Sequence, residues 1–254
     1  MNLSGVWTNE YGSRMELWAL DDGVFRGRYV SSTGSTGEYA VCGHAVAGAA
    51  GPERGKPLAL AIAWHSLVPG PADPSWDWCS GLSGQISLRD GAPVMGLTHA
   101  LVASSDFPGL AQAGTHIDRL TYRRIGDAGP PPALPSPAAA IDTPLTGTWR
   151  EAEGAEIDLI TASDAGFDRV RGQLRRSGRA MELRGFAGRG AVRSLALTGL
   201  LPGGEVMALA GTLPAGSDML SMIDLTSHPT PPDSLYLQTR INGRRFARVM
   251  CSAD

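Results

Sequence analysis

The sequence has few of the features that mark membrane proteins, nucleic-acid-binding proteins and disulfide scaffolds. Its cysteines, Cys42, Cys79 and Cys251, are odd in number, so at least one thiol is unpaired or bonds another chain. No apolar run is long enough to span a bilayer, so no membrane partner is expected. A net charge of only −3 gives no electrostatic case for nucleic-acid binding. The first predicted strand begins almost at Met1, so no signal peptide is expected, and the compartment is left open.

Motifs of enzyme chemistry are missing as well. The five histidines show no metal-ligand spacing, and neither H-E-x-x-H nor C-x-x-C occurs. The stretch Gly-Leu-Ser-Gly at 81–84 is not a G-x-S-x-G nucleophile elbow. The sequence therefore predicts no metal site and no cofactor, and it does not predict an enzyme.

Glycine and proline are abundant, at 33 and 18 residues, and long helical periodicities are absent. This composition favours short strands joined by turns. Asp21-Asp22-Gly23 is a hairpin turn signal. Eight antiparallel strands at this spacing indicate an up-and-down barrel or a sandwich. We predict the strands of the first half near residues 5–12, 15–20, 24–31, 38–45, 58–66, 76–86, 94–103 and 115–124.

The second half of the chain repeats the first. Leu145-Thr146-Gly147-Thr148-Trp149 restates Leu3-Ser4-Gly5-Val6-Trp7 at an offset of 142, which indicates a duplicated domain. Between the copies, a segment rich in proline and alanine has the composition of a semi-rigid linker. We therefore predict a first domain over residues 1–125, a linker over 126–144 and a second domain over 145–254.

The stretch from Gly5 to Ser13 organises the first domain. Read as a strand, it places Trp7, Asn9, Tyr11 and Ser13 on one face, because strand side chains alternate. A face packed on a core would be apolar. This polar face therefore either looks at solvent or lines a cavity that meets a polar ligand.

These residues resemble the first strand of the avidin and streptavidin family, and further motifs resemble its later strands. They are Tyr29-Val30-Ser31 with the loop to Ser35, Ala63-Trp64, Ser75 to Gly81, His99-Ala100-Leu101, and His116-Ile117-Asp118 with Thr121 and Tyr122. The resemblance implies an all-β fold of two tandem eight-stranded antiparallel up-and-down barrels, and a biotin site in the first. The residues it implies for biotin are Asn9, Tyr11, Ser13, Tyr29, Ser31, Thr33, Gly34, Ser35, Trp64, Ser75, Asp77, His99, Leu101 and Asp118.

The chemistry of a cyclic urea suits these side chains. Asn9, Ser13 and Tyr29 can donate to its carbonyl oxygen. Asp118 and Ser31 can accept from its N–H groups, and a bond to the carboxylate is charge-assisted. Apolar walls are expected from Trp64, Leu101 and Tyr11. The loop from Ser31 to Ser35 can close the opening, and Ser75 with the Ser35 backbone can bind a carboxylate tail.

Several positions depart from the family pattern. His99 stands where the family has tryptophan, and Asp77 where it has threonine. Cys79 replaces another tryptophan if Ser80-Gly81 sets the register, whereas a slip of one residue would place Trp78 there. Leu110 occupies the position of the tryptophan that closes the pocket from a neighbouring subunit, so this chain resembles the dimeric avidins. Binding weaker than the best of the family is expected, with Phe107 or the second domain as the cover.

The second copy keeps little of this site. Its matching residues are Glu151, Ala155, Leu174, Arg176, Gly199 or Leu200, and Asn242. Losing four hydrogen-bonding groups, at about 1–3 kcal/mol each, would abolish biotin binding there. The second domain is therefore expected to act as a pseudo-subunit of an intrachain pseudo-dimer, with further homo-oligomerisation left open. Alternatively, Arg175, Arg176, Arg179 and Arg184 form an anion site, although scattered surface arginines are the simpler interpretation.

Other hypotheses for the first domain are a barrel for a different small ligand and a protein-interaction module with a vestigial pocket. A catalytic triad hidden in the barrel has no motif to support it. A disulfide between Cys42 and Cys79 is not expected, since two strand spacings of about 9.6 Å exceed the ~7 Å limit between Cα atoms. Pairing of Cys251 with Cys42 stays open.

Overall fold

The computed structural model describes residues 3–31, 36–48, 54–108, 110, 112–132, 139–231 and 239–250. Within them the chain forms seventeen strands and two short 3₁₀ helices, Asp21–Gly23 and Pro74–Asp77. The strands of the first half are β1 (Gly5–Asn9), β2 (Arg14–Ala19), β3 (Val24–Ser31), β4 (Gly37–Ala45), β5 (Lys56–Ala63), β6 (Cys79–Arg89), β7 (Ala92–Ala103) and β8 (Gly114–Gly126). Those of the second half are β9 (Ala140–Ile141), β10 (Gly147–Glu151), β11 (Glu156–Ser163), β12 (Asp168–Arg176), β13 (Arg179–Ala187), β14 (Arg193–Leu201), β15 (Glu205–Leu213), β16 (Met219–Ser227) and β17 (Thr239–Arg248).

Strands β1 to β8 form a closed antiparallel barrel in which each strand pairs with its neighbours in the chain and β8 pairs with β1. The predicted hairpin turn between β2 and β3 is confirmed: Asp22 and Gly23 have φ of 57° and 74° there. Closure leaves the barrel without an unpaired edge. Its interior is filled by alternate residues of each strand, among them Trp7, Leu60 and Tyr122.

Strands β10 to β17 form a second barrel of the same design, closed by pairing of β10 with β11 and with β17. The predicted fold of two tandem eight-stranded barrels is therefore confirmed. The two barrels also share a hydrogen bond from a buried tryptophan to the carbonyl four residues before it. Trp7 Nε1 donates to the Leu3 carbonyl at 3.1 Å, and Trp149 Nε1 donates to the Leu145 carbonyl at 2.9 Å. In each case the tryptophan is fully buried and its only N–H is satisfied close to the start of the barrel.

The two barrels pack through the outer faces of β4–β7 and β13–β16. Small side chains dominate this contact, which lets the sheets approach closely. Two clusters of buried residues form it: Ala59, Ala100, Val102, Val206, Ala208, Ala210 and Leu225 in one, and Ala61, Ala63, Cys79, Phe167, Phe186 and Ala196 in the other. Side-chain hydrogen bonds cross it as well, between His44 Nδ1 and Thr198 Oγ1 at 2.9 Å and from Ser83 Oγ to Ser227 Oγ at 2.8 Å.

The described parts of the predicted linker are bound to the barrels. Trp18 Nε1 donates to the Gly129 carbonyl at 2.7 Å on the first barrel, and Arg26 donates to the Pro132 carbonyl. On the other side, β9 pairs with β11 at Thr161 and Ala162, a strand that the sequence did not predict. The described beginning of the linker therefore contacts the first barrel, and its described end contacts the second.

The predicted strands of the first half match the observed ones except near β1, β5 and β6. Strand β1 ends at Asn9 instead of residue 12, because Asn9 N donates to the Ser13 carbonyl and closes a turn. Strand β5 ends at Ala63, and the segment before β6 forms the 3₁₀ helix Pro74–Asp77, capped by Asp73. Among the described residues, no helix is long and apolar enough to cross a membrane.

Candidate ligand sites at the ends of the barrels

One end of the first barrel gathers most of the predicted site residues. The end of β1, the start of β2 and the end of β3 meet there, since adjacent strands are antiparallel. The end of β7 and the start of β8 lie at the same end, where His99 pairs in register with Asp118. Interior-facing residues at this end are polar, whereas those deeper in the barrel are apolar. The arrangement places hydrogen-bonding groups at one end of the barrel, above an apolar interior.

Asn9 is held by the turn that ends β1. Its side-chain oxygen accepts from the backbone N–H groups of Tyr11 at 3.1 Å and Ser13 at 2.9 Å. This fixes the amide group so that Nδ2 points to the Tyr29 hydroxyl at 3.5 Å, a long contact that leaves the amide hydrogens available. Asn9, Ser13 and Tyr29 are all buried. The predicted donor set for a carbonyl oxygen is thus brought together.

Tyr122 joins this group, although the sequence analysis did not assign it a role. It pairs in register with Asn9 across β1 and β8 and is fully buried. Burial, and next the neighbouring Tyr29, raise the pKa of Tyr122 well above its ordinary value. Among the described residues, no group meets its hydroxyl with hydrogen-bonding geometry. A buried hydroxyl without a partner is costly, at about 1–3 kcal/mol.

Aromatic rings line one side of this end of the barrel. The Trp64 ring lies 4.9 Å from the Tyr39 ring and 5.6 Å from the Tyr29 ring, measured between centroids. Trp64 Nε1 donates to Ser80 Oγ at 2.8 Å, and the same oxygen lies 2.8 Å from His99 Nε2. Ser80 therefore fixes the orientation of both rings. Burial lowers the pKa of His99 to about 4, against the opposing effect of Asp118, so the imidazole is neutral at pH 7.

The rim at this end of the first barrel is more exposed than the interior below it. Asp118 is exposed and its carboxylate accepts from the Arg119 backbone N–H at 2.6 Å, while Leu101 is half-buried and Ser31 is buried. Phe107 packs against Trp78 with ring centroids 5.2 Å apart. The predicted lid residues Thr33, Gly34 and Ser35 lie outside the described residues.

Three predicted site residues lie apart from this group. Tyr11 is in the turn after β1 and is 54% exposed. Ser75 is buried in the 3₁₀ helix, where its hydroxyl donates to Asp73 at 2.6 Å. Asp77 faces the second barrel, where its carboxylate accepts from the Arg189 backbone N–H at 3.0 Å. A role for these side chains in ligand binding stays a prediction.

Of the two registers left open for β6, the one that would turn Cys79 towards the barrel interior is not observed. The Cys79 thiol lies 3.6 Å from the Phe186 carbonyl in the contact between barrels. Because side chains alternate, Ser80 points inward and Trp78 shares its side of the chain. Cys42 and Cys79 are both free thiols, which confirms that they do not pair; Cys251 lies outside the described residues.

The strand register shows which residues of the second barrel correspond to the site residues of the first. Glu151 and Ala155 close the same turn as Asn9 and Ser13, through Glu151 N to the Ala155 carbonyl at 2.8 Å. Leu174 pairs with Ile157 as Tyr29 pairs with Met15, and Phe246 pairs with Glu151 as Tyr122 pairs with Asn9. The partner of Trp64 is Leu201, not Gly199 or Leu200, because β13 and β14 pair Gly185 with Leu197 where β4 and β5 pair Gly43 with Leu60.

The corresponding end of the second barrel is charged instead of neutral. Arg244 lies between two carboxylates: its Nη1 is 3.2 Å from Glu151 Oε1 and its Nη2 is 3.0 Å from Asp224 Oδ2. Thr226 Oγ1 donates to the other Asp224 oxygen at 2.6 Å. A cavity of about 610 Å³ opens above this triad.

The predicted arginine cluster is divided by the barrel wall. Arg176 and Arg179 line the cavity of the second barrel. Arg175 pairs with Glu156 and Asp158 on the outside, and Arg184 pairs with Glu182. The four therefore do not form one anion site.

Within the described residues, no group of three or more histidine, cysteine, aspartate or glutamate side chains is placed to hold a metal ion.

Comparison with known proteins bears on the first barrel. Residues 1–107 match the model of the Avidin family, a range that includes β1 to β7 and ends before Asp118 and Tyr122. Among solved structures, the crystal structure of Xenavidin aligns with 49% of this chain and 97% of its own chain, at 20% sequence identity and a TM-score of 0.39. No curated protein matches the chain. The first barrel is thus similar to the Avidin family.

Sequence reasoning missed Tyr122 and Ser80 as members of the site. Both lie within motifs quoted for the family resemblance, yet only the barrel register shows that they face inward. The alternation of Leu120 and Tyr122 with polar residues in the sequence of β8 could have identified Tyr122.

Proposed function

We propose that the first barrel binds biotin non-covalently. The observation that carries this proposal is the convergence of Asn9, Ser13, Tyr29 and Tyr122 at one end of an otherwise apolar barrel interior. Four neutral donors around one point suit a carbonyl oxygen. The Tyr122 hydroxyl gains a partner when such an oxygen arrives. The similarity of residues 1–107 to the Avidin family supports the same ligand.

The remaining groups suit the rest of a cyclic urea. Asp118 at the rim and Ser31 can accept from its two N–H groups, and the Asp118 carboxylate makes the stronger bond. Trp64 with Tyr39 provides a flat apolar wall for a saturated ring. The neutral His99 adds no charge beside the ligand.

We further propose that the second barrel does not bind biotin and serves as a pseudo-subunit. Leu174 and Phe246 stand at the register positions of Tyr29 and Tyr122, so two donors are lost. The Glu151 carboxylate would also face the ligand's carbonyl oxygen, which is a repulsive contact. Its outer face instead covers the small residues of β5 and β6.

Titration calorimetry of the whole chain with biotin tests the proposal through stoichiometry and variants. We expect one site per chain. Asp118→Ala should weaken binding at least tenfold, since it removes a charge-assisted bond. Asn242→Ala, at the same register position in the second barrel, should leave it unchanged. Two sites per chain, or equal effects of both variants, would contradict the assignment to the first barrel.

The pseudo-subunit role has its own test. Cys79 is fully buried in the contact between barrels, so its thiol reports on their association. Ala208→Glu places a carboxylate in that contact and should make Cys79 reactive towards a thiol reagent. A Cys79 that stays protected in this variant would show that the contact is not the one holding the barrels together.

A further inference from the structure

The second barrel contains a cavity whose chemistry differs from that of the first. Its volume of about 610 Å³ lies within the range of about 300–1,000 Å³ of small-molecule sites. Apolar side chains form its walls, among them Leu174, Met207, Leu209 and Phe246. Its base carries the ion triad of Glu151, Arg244 and Asp224 described above.

The triad contains more negative charge than its own arginine needs. The side chains of Glu151 and Asp224 are only 7% and 4% exposed, and that of Arg244 is 15% exposed. Burying a carboxylate is costly unless it is paired. One carboxylate would neutralise Arg244, so the base as a whole carries a surplus of about one negative charge. The hydrogen bonds to Asp224 and Glu151 outweigh burial and raise the pKa of Arg244, which keeps the guanidinium charged.

The opposite charge is found at the mouth. Arg176, Arg179 and Arg240 line the opening and are exposed, with Glu153 and Glu205 beside them. The cavity is therefore polarised, with acceptors in excess at the buried end and cations in excess at the open end. Each carboxylate oxygen has two lone pairs, so Glu151 and Asp224 can accept further hydrogen bonds from a ligand.

We propose that the second barrel binds a small bipolar molecule, with an ammonium group against Glu151 and Asp224, an apolar body, and a carboxylate at the arginine mouth. The ammonium group balances the surplus charge of the base. The apolar walls take the body, and the exposed arginines take the carboxylate without the cost of desolvating it fully. The site is independent of the biotin site proposed for the first barrel.

A matched series of probes tests each part of this assignment on the full chain. The probes are 6-aminohexanoate, hexylamine and hexanoate, which share a six-carbon body and differ in their charged ends. Protein-observed NMR titrations should give the tightest binding for 6-aminohexanoate. Hexanoate, which lacks the ammonium group, should bind at least tenfold more weakly. Hexylamine should bind about threefold more weakly, because exposed charge pairs contribute less.

Variants then locate the site. Glu151→Gln keeps the side-chain shape and leaves Arg244 paired with Asp224, so the barrel should fold, and affinity for 6-aminohexanoate should fall at least tenfold. Glu182→Gln, an exposed carboxylate on the outside of the same barrel, is the control and should change nothing. Arg176→Gln, at the exposed mouth, should abolish the preference for 6-aminohexanoate over hexylamine without affecting folding.

The proposal is overturned if no probe gives saturable shifts, if hexanoate binds as well as 6-aminohexanoate, or if Glu151→Gln leaves the affinity unchanged. Biotin titrated into the same samples tests the first barrel separately. A failure of the proposal for the second barrel is thereby distinguished from a failure of biotin binding by the first. Biotin binding should be the same with and without saturating 6-aminohexanoate.

Discussion

Replacing Tyr122 with phenylalanine should stabilise the free protein and weaken biotin binding at the same time. In the free protein this hydroxyl is fully buried, and its neighbours among the described residues, the Tyr29 hydroxyl and the Asn9 amide, do not meet it with hydrogen-bonding geometry. An unsatisfied buried hydroxyl costs about 1–3 kcal/mol, so its removal should raise the free energy of unfolding by about 1 kcal/mol. For a chain of this length that unfolds as one unit, the thermal midpoint should rise by about 2–4 °C.

Biotin binding should respond in the opposite direction. A bond from the Tyr122 hydroxyl to the ligand's carbonyl oxygen is worth about 1–1.4 kcal/mol, which corresponds to about a five- to tenfold loss of affinity. Differential scanning calorimetry without ligand and isothermal titration with biotin measure the two effects on one preparation. Few substitutions in a core raise stability, so opposite signs are a specific signature.

Two further variants serve as controls for Tyr122→Phe. Tyr11→Phe removes a hydroxyl from an exposed ring and should change neither quantity. Phe246→Tyr adds a hydroxyl at the same register position of the second barrel and should leave biotin binding unchanged. The reasoning is refuted if Tyr122→Phe lowers the thermal midpoint, since the hydroxyl then has a partner, or if biotin affinity does not change.

Three further predictions concern the barrels as folded bodies. Burial raises the pKa of Cys79, which is fully buried, to about 12, so its thiol should not react with a disulfide reagent at pH 8 until urea unfolds the chain. Burial lowers the pKa of His44 to about 4, below the 6.5 of the unfolded chain. The unfolded state therefore binds the extra proton between these values, and urea titrations should show stability falling as pH drops from 6.5 to 4, by up to about 1.4 kcal/mol per pH unit and less steeply in His44→Asn. Gly185→Ala should lower the thermal midpoint markedly, because its Cβ would lie 1.8 Å from the Ala196 carbonyl oxygen, whereas an unchanged midpoint would mean that the strands can separate freely.

Much of the fold follows from local sequence signals. The Asp21-Asp22-Gly23 turn and the alternation of apolar residues fix where strands begin and how they face, since both depend on neighbours in the chain. Strand β9 could not be predicted in this way. Its two residues, Ala140 and Ile141, have a strand conformation only because they meet the end of β11.

The candidate site was predictable where a residue's role depends on its own strand. Asn9, Ser13 and Tyr29 meet because each lies on the inward face at the same end of the barrel. Asp77 was not predictable, because its direction depends on the 3₁₀ helix before β6 and on Arg189 of the other barrel. The register of Cys79 was likewise decided by contacts across the barrels.

The segment before β6 links the mouth of the first barrel to the second barrel. Ser194 Oγ of the second barrel donates to the Asp77 carbonyl at 2.5 Å, and the Asp77 carboxylate accepts from the Arg189 N–H. The next residue, Trp78, packs against Phe107 at the rim. Strand β6 begins directly after this segment, and its Ser80 orients the rings of His99 and Trp64. The second barrel therefore supports the position of the aromatic side of the first candidate site. This support would be needed whether or not the second barrel binds a ligand of its own.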